Sequence, residues 1–462
     1  MKRSGIRMVG ELADRFVRDR GGNIAVLAAM SMTTIILAVG FGVNLTQAFH
    51  VKSGLHAALD AAVTSTARDI TTGIIKKEDA RKAVEKFLAA NAGEKFAGEA
   101  GFVLDTLTVD DAAKTLEATA HAYVNSAFPL FGQDPKVAIT SAALYSDKKV
   151  EIALMLDVTG SMKGWKIEEL KTAAENAVKA ALGKQDPKNP RIRMALVPYA
   201  EAVNSGELGK TSVFKEVPRG PNLPPPVDAA TPVSDAAGLP RDNCATERKT
   251  KDGKADFTDD EPTAERRDND FRKYLALVNR DDRLSVCPTA ELVPLTADSD
   301  ALLASIGDFR ADGVTAGAIA LQWGYYMLSP KWRPTIKDAD LGAGPADVNA
   351  KKVAKVAVLM TDGLFNTAFA GVPSREAPRV SQPDRSRRYA ESICANMKAD
   401  GIEVYTIGFD IKNESGAANL LKTCASPDEG TIRHYFEAAT GEELDAAFAE
   451  IIRNSEKLAL IK

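Results

Sequence analysis

Five side chains that carry oxygen ligands stand next to stretches of sequence that are typical of buried strands. Asp157, Thr159 and Ser161 follow the apolar stretch VEIALML at alternate positions, so an extended turn would point all three the same way. Asp362 follows a second apolar stretch, VAKVAVLMT, and Thr315 lies between the two, just before a predicted helix. Two carboxylates and three hydroxyls suit a small, hard divalent cation, Mg²⁺ first and Mn²⁺ or Ca²⁺ next. They do not suit zinc, which prefers nitrogen and sulfur ligands.

A purely structural role is the alternative for the same residues. In that reading Asp157 and Thr159 cap the following helix, and Asp362 anchors a turn. A single D-x-T-x-S pattern occurs by chance, so the metal hypothesis depends on context: a TDG turn follows a second strand in the right order. The set carries few negative charges, and a bound ion would therefore stay attractive to a carboxylate from outside.

The elements that must hold these residues alternate between strand and helix from about residue 148 onward. Short apolar stretches predict strands buried on both faces, and apolar residues repeating every three or four positions predict helices. The order predicts a doubly wound, mainly parallel α/β sheet, Rossmann-like, with binding sites at the carboxyl ends of its strands. The predicted strands are VEIALMLDV, RIRMALVPY, VAKVAVLMT and IEVYTIGF, and the predicted helices are residues 167–181, TAGAIALQWGYYML, residues 387–398 and GEELDAAFAEII, the last with a capping box of Thr440 and Glu443.

Residues 201–296 interrupt this alternation. The stretch contains GPNLPPP and a long run of mixed charge with few large apolar residues. We interpret it as a loop-rich insertion into a domain that covers residues 148–462. A charge run of this kind is usually solvated surface, and nothing in its residues requires a partner.

The four cysteines are Cys244, Cys287, Cys394 and Cys424, and no two of them form a C-x-x-C pair. This spacing argues against a zinc ribbon or a thioredoxin-type motif. Four cysteines allow three pairings, and four reduced thiols are the alternative. Disulfides between the nearest neighbours, Cys244–Cys287 and Cys394–Cys424, are favoured because the membrane topology predicted below puts all four outside the cytoplasm.

An uncharged apolar stretch near the N-terminus, IAVLAAMSMTTIILAVGFGVNL at residues 24–45, predicts a transmembrane helix within residues 21–46. At about 1.5 Å per residue it spans a hydrocarbon core of roughly 30 Å. The basic tail at residues 1–20 predicts a cytoplasmic N-terminus by the positive-inside rule. The rest of the chain would then lie in the periplasm of a bacterium with two membranes. A buried core helix is the alternative.

Residues 47–147 predict a helical continuation and a small α+β unit. Apolar residues recur at helical spacing in residues 51–70, which fits either a pilin-like amphipathic helix or a simple stalk. A helix at residues 78–91 and strands near residues 102–109, 115–124 and 137–145 complete the unit. Leu27 stands five residues after Gly22, where a type IV prepilin has Glu, so we expect an uncleaved anchor.

Composition and motifs favour a binding protein over an enzyme. The 462 residues are enough for two or three domains, and a net charge of -4 provides no broad basic face for nucleic acid. The sequence contains no GxxxxGK[ST], HExxH or GxSxG motif. Metal-assisted hydrolysis through two carboxylates on one ion is the weaker alternative.

The candidate metal ligands resemble the metal-ion-dependent adhesion site (MIDAS) of von Willebrand factor A (vWA) domains. That motif is D-x-S-x-S, then a separate Thr, then the Asp of a TDG turn; here Thr159 stands where Ser is usual, and the hydroxyl is kept. The resemblance implies that Thr159, Ser161 and Thr315 position the ion, directly or through water. It also implies that Asp157 and Asp362 hold the ion and that an acidic group of a partner completes its coordination.

Nearly the whole chain resembles TadG-like proteins of the tight-adherence (Flp) pilus assembly system. The resemblance rests on the RGGN sequence just before a single membrane helix, on the small α+β segment, and on the sequence segments LVPYAEAVN, ALQWGYYMLSPKW and VAVLMTDG. It implies a non-enzymatic protein of the inner membrane that helps to build or tether a pilus, with pilus assembly components as partners and no nucleic acid. A membrane-anchored scaffold with a non-functional metal site is the alternative.

Overall fold

The computed structural model describes residues 23–72, 74–91, 101–128, 135–146, 148–183, 185, 190–215, 243–250, 253–267, 273–281, 283–349, 352–372, 381–411 and 415–461. The chain divides into two compact units. The first consists of residues 1–68 and 75–145, and the second of residues 69–74 and 146–462. The basic tail of the sequence and the middle of the predicted insertion, residues 216–242, lie outside the described residues.

The chain begins with one long helix, α1 (Asn23–Thr72). Its most apolar window has a mean hydropathy of 2.1, and only 6% of that window is buried. By length and composition this helix can cross a membrane. A buried core helix would hide these side chains, whereas Val26, Leu27 and Phe41 are more than half exposed.

The second half of α1 belongs to the α+β unit. Its buried residues recur at helical spacing, and the side chains of Asn44 and Gln47 hold the backbone of residues 127 and 128 at 2.6 to 3.1 Å. The unit is completed by α2 (Ala80–Asn91) and an antiparallel sheet of β1 (Val103–Asp110), β2 (Thr115–Tyr123) and β3 (Lys136–Leu144), with β2 in the middle. The buried residues of this half are Leu55, Leu59, Ala62, Val63 and Ala67. This part of α1 is therefore packed within a unit and is not a bare stalk.

The second unit is built on a mixed sheet with five parallel strands in the order β15-β14-β13-β4-β5. Short antiparallel strands extend the β5 side, so the sheet is less uniformly parallel than the sequence predicts. The parallel strands are β4 (Lys149–Asp157), β5 (Ile192–Tyr199), β13 (Val353–Thr361), β14 (Ile402–Phe409) and β15 (Tyr435–Ala438); the antiparallel ones are β6 (Val203–Asn204), β8 (Cys244–Ala245) and β12 (Val293–Thr296).

Helices cover both faces of this sheet, which gives the unit two apolar cores. Strand β4 serves both: Ala153 and Met155 point into one core, and Ile152, Leu154 and Leu156 into the other. This is why the strands read as continuous apolar stretches. One core contains α3 (Trp165–Leu182), α5 (Ser299–Gly307) and α10 (Gly441–Ile461); the other contains α4 (Gly206–Ser212), α6 (Gly317–Leu328), α7 (Arg333–Asp338), α8 (Pro383–Ala399) and α9 (Ser415–Cys424).

The described part of the insertion contains more structure than its composition indicates. It includes β7 (Phe214–Lys215), β9 (Arg248–Lys249), β10 (Thr263–Arg267) and β11 (Lys273–Arg280). Some of its charge is buried, unlike the solvated surface that we expected. Arg248 is fully buried and donates to the Tyr326 hydroxyl at 3.1 Å, while Lys249 and Asp281 form a buried ion pair at 2.5 Å. Burial of Lys249 and Asp281 is tolerated because their charges offset each other, and Arg248 also donates to the Asp260 carbonyl.

Both disulfides favoured from the sequence are present. Cys244–Cys287 joins β8 to a segment near the end of the insertion, and Cys394–Cys424 joins α8 to α9. The last helix, α10, begins with the predicted cap: the Thr440 hydroxyl accepts the Glu443 N–H at 3.3 Å, and the Glu443 carboxylate accepts the Ala439 N–H at 2.6 Å.

Gly317, the first residue of α6, leaves no room for a side chain. An added Cβ would lie 2.1 Å from the ring of Phe365, which is buried beside Tyr199. We expect Gly317→Ala to lower the free energy of unfolding by about 1–3 kcal/mol, because a buried ring must shift. Gly307→Ala, at a helical position with nothing within 4 Å, is the matched control and should be neutral or slightly stabilising. Urea denaturation measures both; equal stability of the two variants would contradict this packing.

Candidate functional site

Asp157 ends β4, a central strand of the sheet, and is fully buried. Its Oδ1 accepts the Thr159 N–H at 2.9 Å, and its Oδ2 accepts the Thr361 hydroxyl at 2.7 Å. The Tyr199 hydroxyl lies 3.3 Å from the same Oδ2. Thr159 stands at the N-cap of a short 3-10 turn (Gly160–Met162) without a side-chain cap bond, and the next α-helix, α3, has Gly164 at its N-cap, so neither Asp157 nor Thr159 caps a helix through its side chain. The capping alternative therefore does not describe this loop.

The first loop meets the TDG turn through a line of hydroxyls. Thr159 Oγ1 and Ser161 Oγ are 3.0 Å apart, and Ser161 Oγ donates to Asp362 Oδ1 at 2.6 Å across 201 residues of sequence. Strands β4 and β13 pair in parallel, so their carboxyl ends meet at one edge of the sheet. Asp362 follows β13 there, with only 1% of its side chain exposed. The four residues Asp157, Thr159, Ser161 and Asp362 thus form one connected group.

Thr315 lies in a third loop that is fixed to the other two. Its N–H donates to Asn366 Oδ1 at 3.2 Å, and its carbonyl accepts the Asn366 N–H at 3.0 Å. The preceding Gly313, at φ 78°, accepts the Gly160 N–H at 3.0 Å through its carbonyl. Glycine suits that left-handed backbone. These bonds hold the Thr315 loop between the first loop and the segment after TDG.

Two charged residues at the site were not predicted. Lys166, in the first turn of α3, lies 3.0 Å from Asp362 Oδ2 and 3.4 Å from Asp410 Oδ2. Asp410 directly follows β14 and therefore has the same sequence signal as Asp157 and Asp362, a carboxylate at the end of an apolar strand. Lys166 has no such sequence signal, because its position depends on how α3 lies beside β13 and β14.

Burial and like charge dominate the electrostatics. Burial, with the nearby charge of Asp362, raises the pKa of Asp157 to about 6 against the bonds from Thr159 and Thr361. Burial lowers the pKa of Lys166, but its bonds to Asp362 and Asp410 outweigh that effect and raise the pKa. Burial and the charge of Asp157 raise the pKa of Tyr199 well above its ordinary value, so its hydroxyl stays protonated.

The donor set fits a hard divalent cation by its chemistry. Two carboxylates and neighbouring hydroxyls converge at the edge of the sheet, and two buried acids beside each other favour a positive ion. No group of three or more His, Cys, Asp or Glu side chains able to hold a metal occurs among the described residues. Any metal here would therefore depend on hydroxyl ligands and water as well as carboxylates.

The aromatic residues near the site differ in exposure. Trp323, Tyr325 and Tyr326 on α6 are buried in the apolar core. Trp165, beside Lys166, is 50% exposed and packs edge-on against Phe409 with ring centroids 5.5 Å apart. A fixed apolar side chain therefore stands at the rim of the site.

The N-terminal helix matches a known protein family. A family model described as putative Flp pilus-assembly TadE/G-like matches residues 22–69, within α1 and the residue before it. No curated protein matches the sequence.

Three solved structures are similar to this chain at low identity. The vWF domain of the type V pili tip protein Mfa5 from Porphyromonas gingivalis aligns over 66% of this chain and 95% of its own, with 14% identity and a TM-score of 0.35. The pilus adhesin SpaC from Lactobacillus rhamnosus GG aligns over 77% of this chain and 34% of its own, with 12% identity and a TM-score of 0.36. The PilB minor pilin from Streptococcus sanguinis aligns over 78% and 79%, with 12% identity and a TM-score of 0.35.

The raised pKa of Asp157 predicts a pH-dependent stability in metal-free protein. The folded state holds this proton more tightly than the unfolded chain, so the stabilisation is complete below about pH 4 and is lost as the pH rises through about 6. Asp157→Asn removes the titrating group. In EDTA, its free energy of unfolding should rise relative to wild type between pH 4 and pH 7, by roughly 2–3 kcal/mol at about 1.4 kcal/mol per pKa unit.

The control for this experiment is Asp312→Asn. The Gly313 N–H and Lys163 lower the pKa of this exposed carboxyl group. Asp312→Asn should therefore show no comparable gain between pH 4 and pH 7. If the difference in free energy of unfolding between Asp157→Asn and wild type does not change over the same pH range, the pKa of the Asp157 carboxyl group is not raised.

Proposed function

We propose that this chain is a single-pass inner-membrane protein of bacterial Flp (tight-adherence) pilus assembly that carries a vWA domain. It binds a protein partner through a divalent cation held by Asp157, Thr159, Ser161, Thr315 and Asp362. The observation that carries the proposal is the bond from Ser161 to Asp362, because it joins the two halves of the motif at the end of two neighbouring strands. The match of residues 22–69 to the TadE/G-like model supports the pilus context.

The roles of the residues follow from their positions. Asp157 and Asp362 supply two negative charges, and the hydroxyls of Thr159, Ser161 and Thr315 supply neutral oxygen ligands. The cation, Mg²⁺ or else Mn²⁺ or Ca²⁺, would provide a positive centre for a carboxylate of the partner. Burial of both acids keeps water from screening the attraction, since charges interact more strongly in a medium of low dielectric.

Two other functions have weaker support. A scaffold that needs no metal is favoured by one observation: the Lys166 ammonium and the Ser161 hydroxyl already satisfy Asp362. Metal-assisted hydrolysis has less support, because the raised pKa of Lys166 keeps it protonated and unable to act as a general base. We therefore propose a binding protein and not an enzyme.

Metal binding is tested by titrating the full-length protein in detergent with Mg²⁺ and Mn²⁺ in a calorimeter. Wild type should bind one ion, and Asp157→Ala should abolish binding because half of the negative charge is lost. Asp312→Ala is the matched control: this Asp lies in the Thr315 loop but is exposed and paired with Lys163 at 3.3 Å.

In cells, Asp157→Ala should accumulate normally and fail to support pili. Normal piliation by that variant would favour the scaffold.

The proposed topology has its own test. Cells are converted to spheroplasts and treated with protease, and the chain is followed by an antibody against its C-terminal helix α10. We expect digestion in spheroplasts and protection in intact cells, because residues after α1 would face the periplasm, where the two disulfides would form. Protection in both preparations would place the α/β unit in the cytoplasm.

A further inference from the structure

The chain itself supplies a cation at one of the proposed metal ligands, Asp362. Lys166 Nζ stands 3.0 Å from Asp362 Oδ2, and only 16% of the Lys166 side chain is exposed. The same carboxylate receives the Ser161 hydroxyl through Oδ1. Without a metal, the charge of Asp362 is thus compensated from within the protein.

A divalent ion at the same carboxylate would change this balance. An ion and an ammonium group that share Asp362 repel each other at short range, in a place where little water screens them. Lysine is a flexible point charge that can swing to another acceptor. Asp410 is that acceptor, since its Oδ2 already lies 3.4 Å from Nζ.

The structure holds Asp410 firmly in this position. Its backbone has φ 55°, a conformation that residues other than glycine seldom adopt, and its N–H donates to the Ala438 carbonyl at 2.7 Å. Its side chain is 34% exposed, so it can accept Lys166 further from the buried acids. With Asp410 included, three carboxylates balance one ammonium group and one divalent ion.

From this geometry we infer that Lys166 is an internal cation that competes with the divalent ion for Asp362, and that Asp410 takes Lys166 over when the ion binds. Lys166 and Asp410 are positioning residues that set how tightly the ion is held. This inference rests on the proposed metal site and adds its regulation. The metal-free protein is kept intact by Lys166, and the affinity for the ion is held below what the two buried acids would give alone.

The test is calorimetric titration of the full-length protein in detergent with Mn²⁺. Lys166→Met should tighten binding by roughly tenfold or more, because the competing charge is gone. Asp410→Asn should weaken binding several-fold, because Lys166 then has no second carboxylate. The double variant, Lys166→Met with Asp410→Asn, should bind Mn²⁺ as tightly as Lys166→Met alone, because Asp410 acts only through Lys166. Lys166→Arg keeps the positive charge, so its Mn²⁺ affinity should be close to that of wild type.

Lys179→Met is the matched control. It makes the same change of charge on the same helix, about 20 Å along α3 at 1.5 Å per residue, where Lys179 pairs with Glu175. Its Mn²⁺ affinity should be unchanged. Thermal unfolding in EDTA gives a second readout: Lys166→Met should unfold at a lower temperature than wild type, since Asp362 loses its partner, and Mn²⁺ should reverse that order.

The outcomes separate this inference from the proposed function. If wild type binds Mn²⁺ and neither Lys166→Met nor Asp410→Asn changes the affinity as stated, competition by Lys166 is wrong and the metal site stands. If only Lys166→Met binds, competition is right and the native chain does not use the metal. If neither wild type nor Lys166→Met binds, both ideas are overturned.

Discussion

Two acidic side chains buried side by side are the constraint on which the second unit depends. Asp157 and Asp362 follow neighbouring parallel strands, and the pKa of Asp157 rises to about 6 because burial and the second charge oppose its ionisation. Such a pair is costly to bury unless donors or cations surround it. The hydroxyls of Thr361 and Ser161 and the ammonium group of Lys166 meet this need. The divalent ion that we propose would meet the same need more strongly.

The sheet supplies the rigidity that such an arrangement needs. Apolar cores on both faces leave the ends of β4 and β13 little freedom, and Gly317 lets Phe365 pack beside the loops. The loops themselves are joined to one another by backbone bonds, as between Gly160 and Gly313. The positions of these oxygen atoms are therefore set by the packing of the strands and loops.

The first unit contains one continuous helix, α1, which combines an exposed apolar stretch long enough to cross a membrane with a stretch that packs in the α+β unit. The large apolar side chains of α1 are exposed from Val26 to Phe49, whereas those from Val51 to Val63 are buried. Asn44 marks the change, because its amide group pairs with the backbone of Phe128.

The sequence alone determined the elements whose pattern is local. Continuous apolar stretches predicted β4, β5, β13 and β14, helical spacing predicted α3, α6 and α10, and proximity along the chain suggested the two disulfides. It also singled out the residues at the ends of β4 and β13, because parallel strands place their carboxyl ends together. The antiparallel strands beside β5 carry no such signal, since they are two to four residues long and depend on pairing with distant segments.

Tertiary structure alone decided what surrounds the candidate site. Lys166 is one lysine among many on helical surfaces, and only the packing of α3 against the sheet brings it to Asp362 and Asp410. The buried charges of the insertion are a second case: Arg248 lies in a run that reads as solvated surface, yet it is buried because Tyr326, 78 residues away, accepts its hydrogen bond. Sequence patterns report local periodicity and the ends of strands, whereas the partner of a charged group is set by contacts between residues that are far apart in the chain.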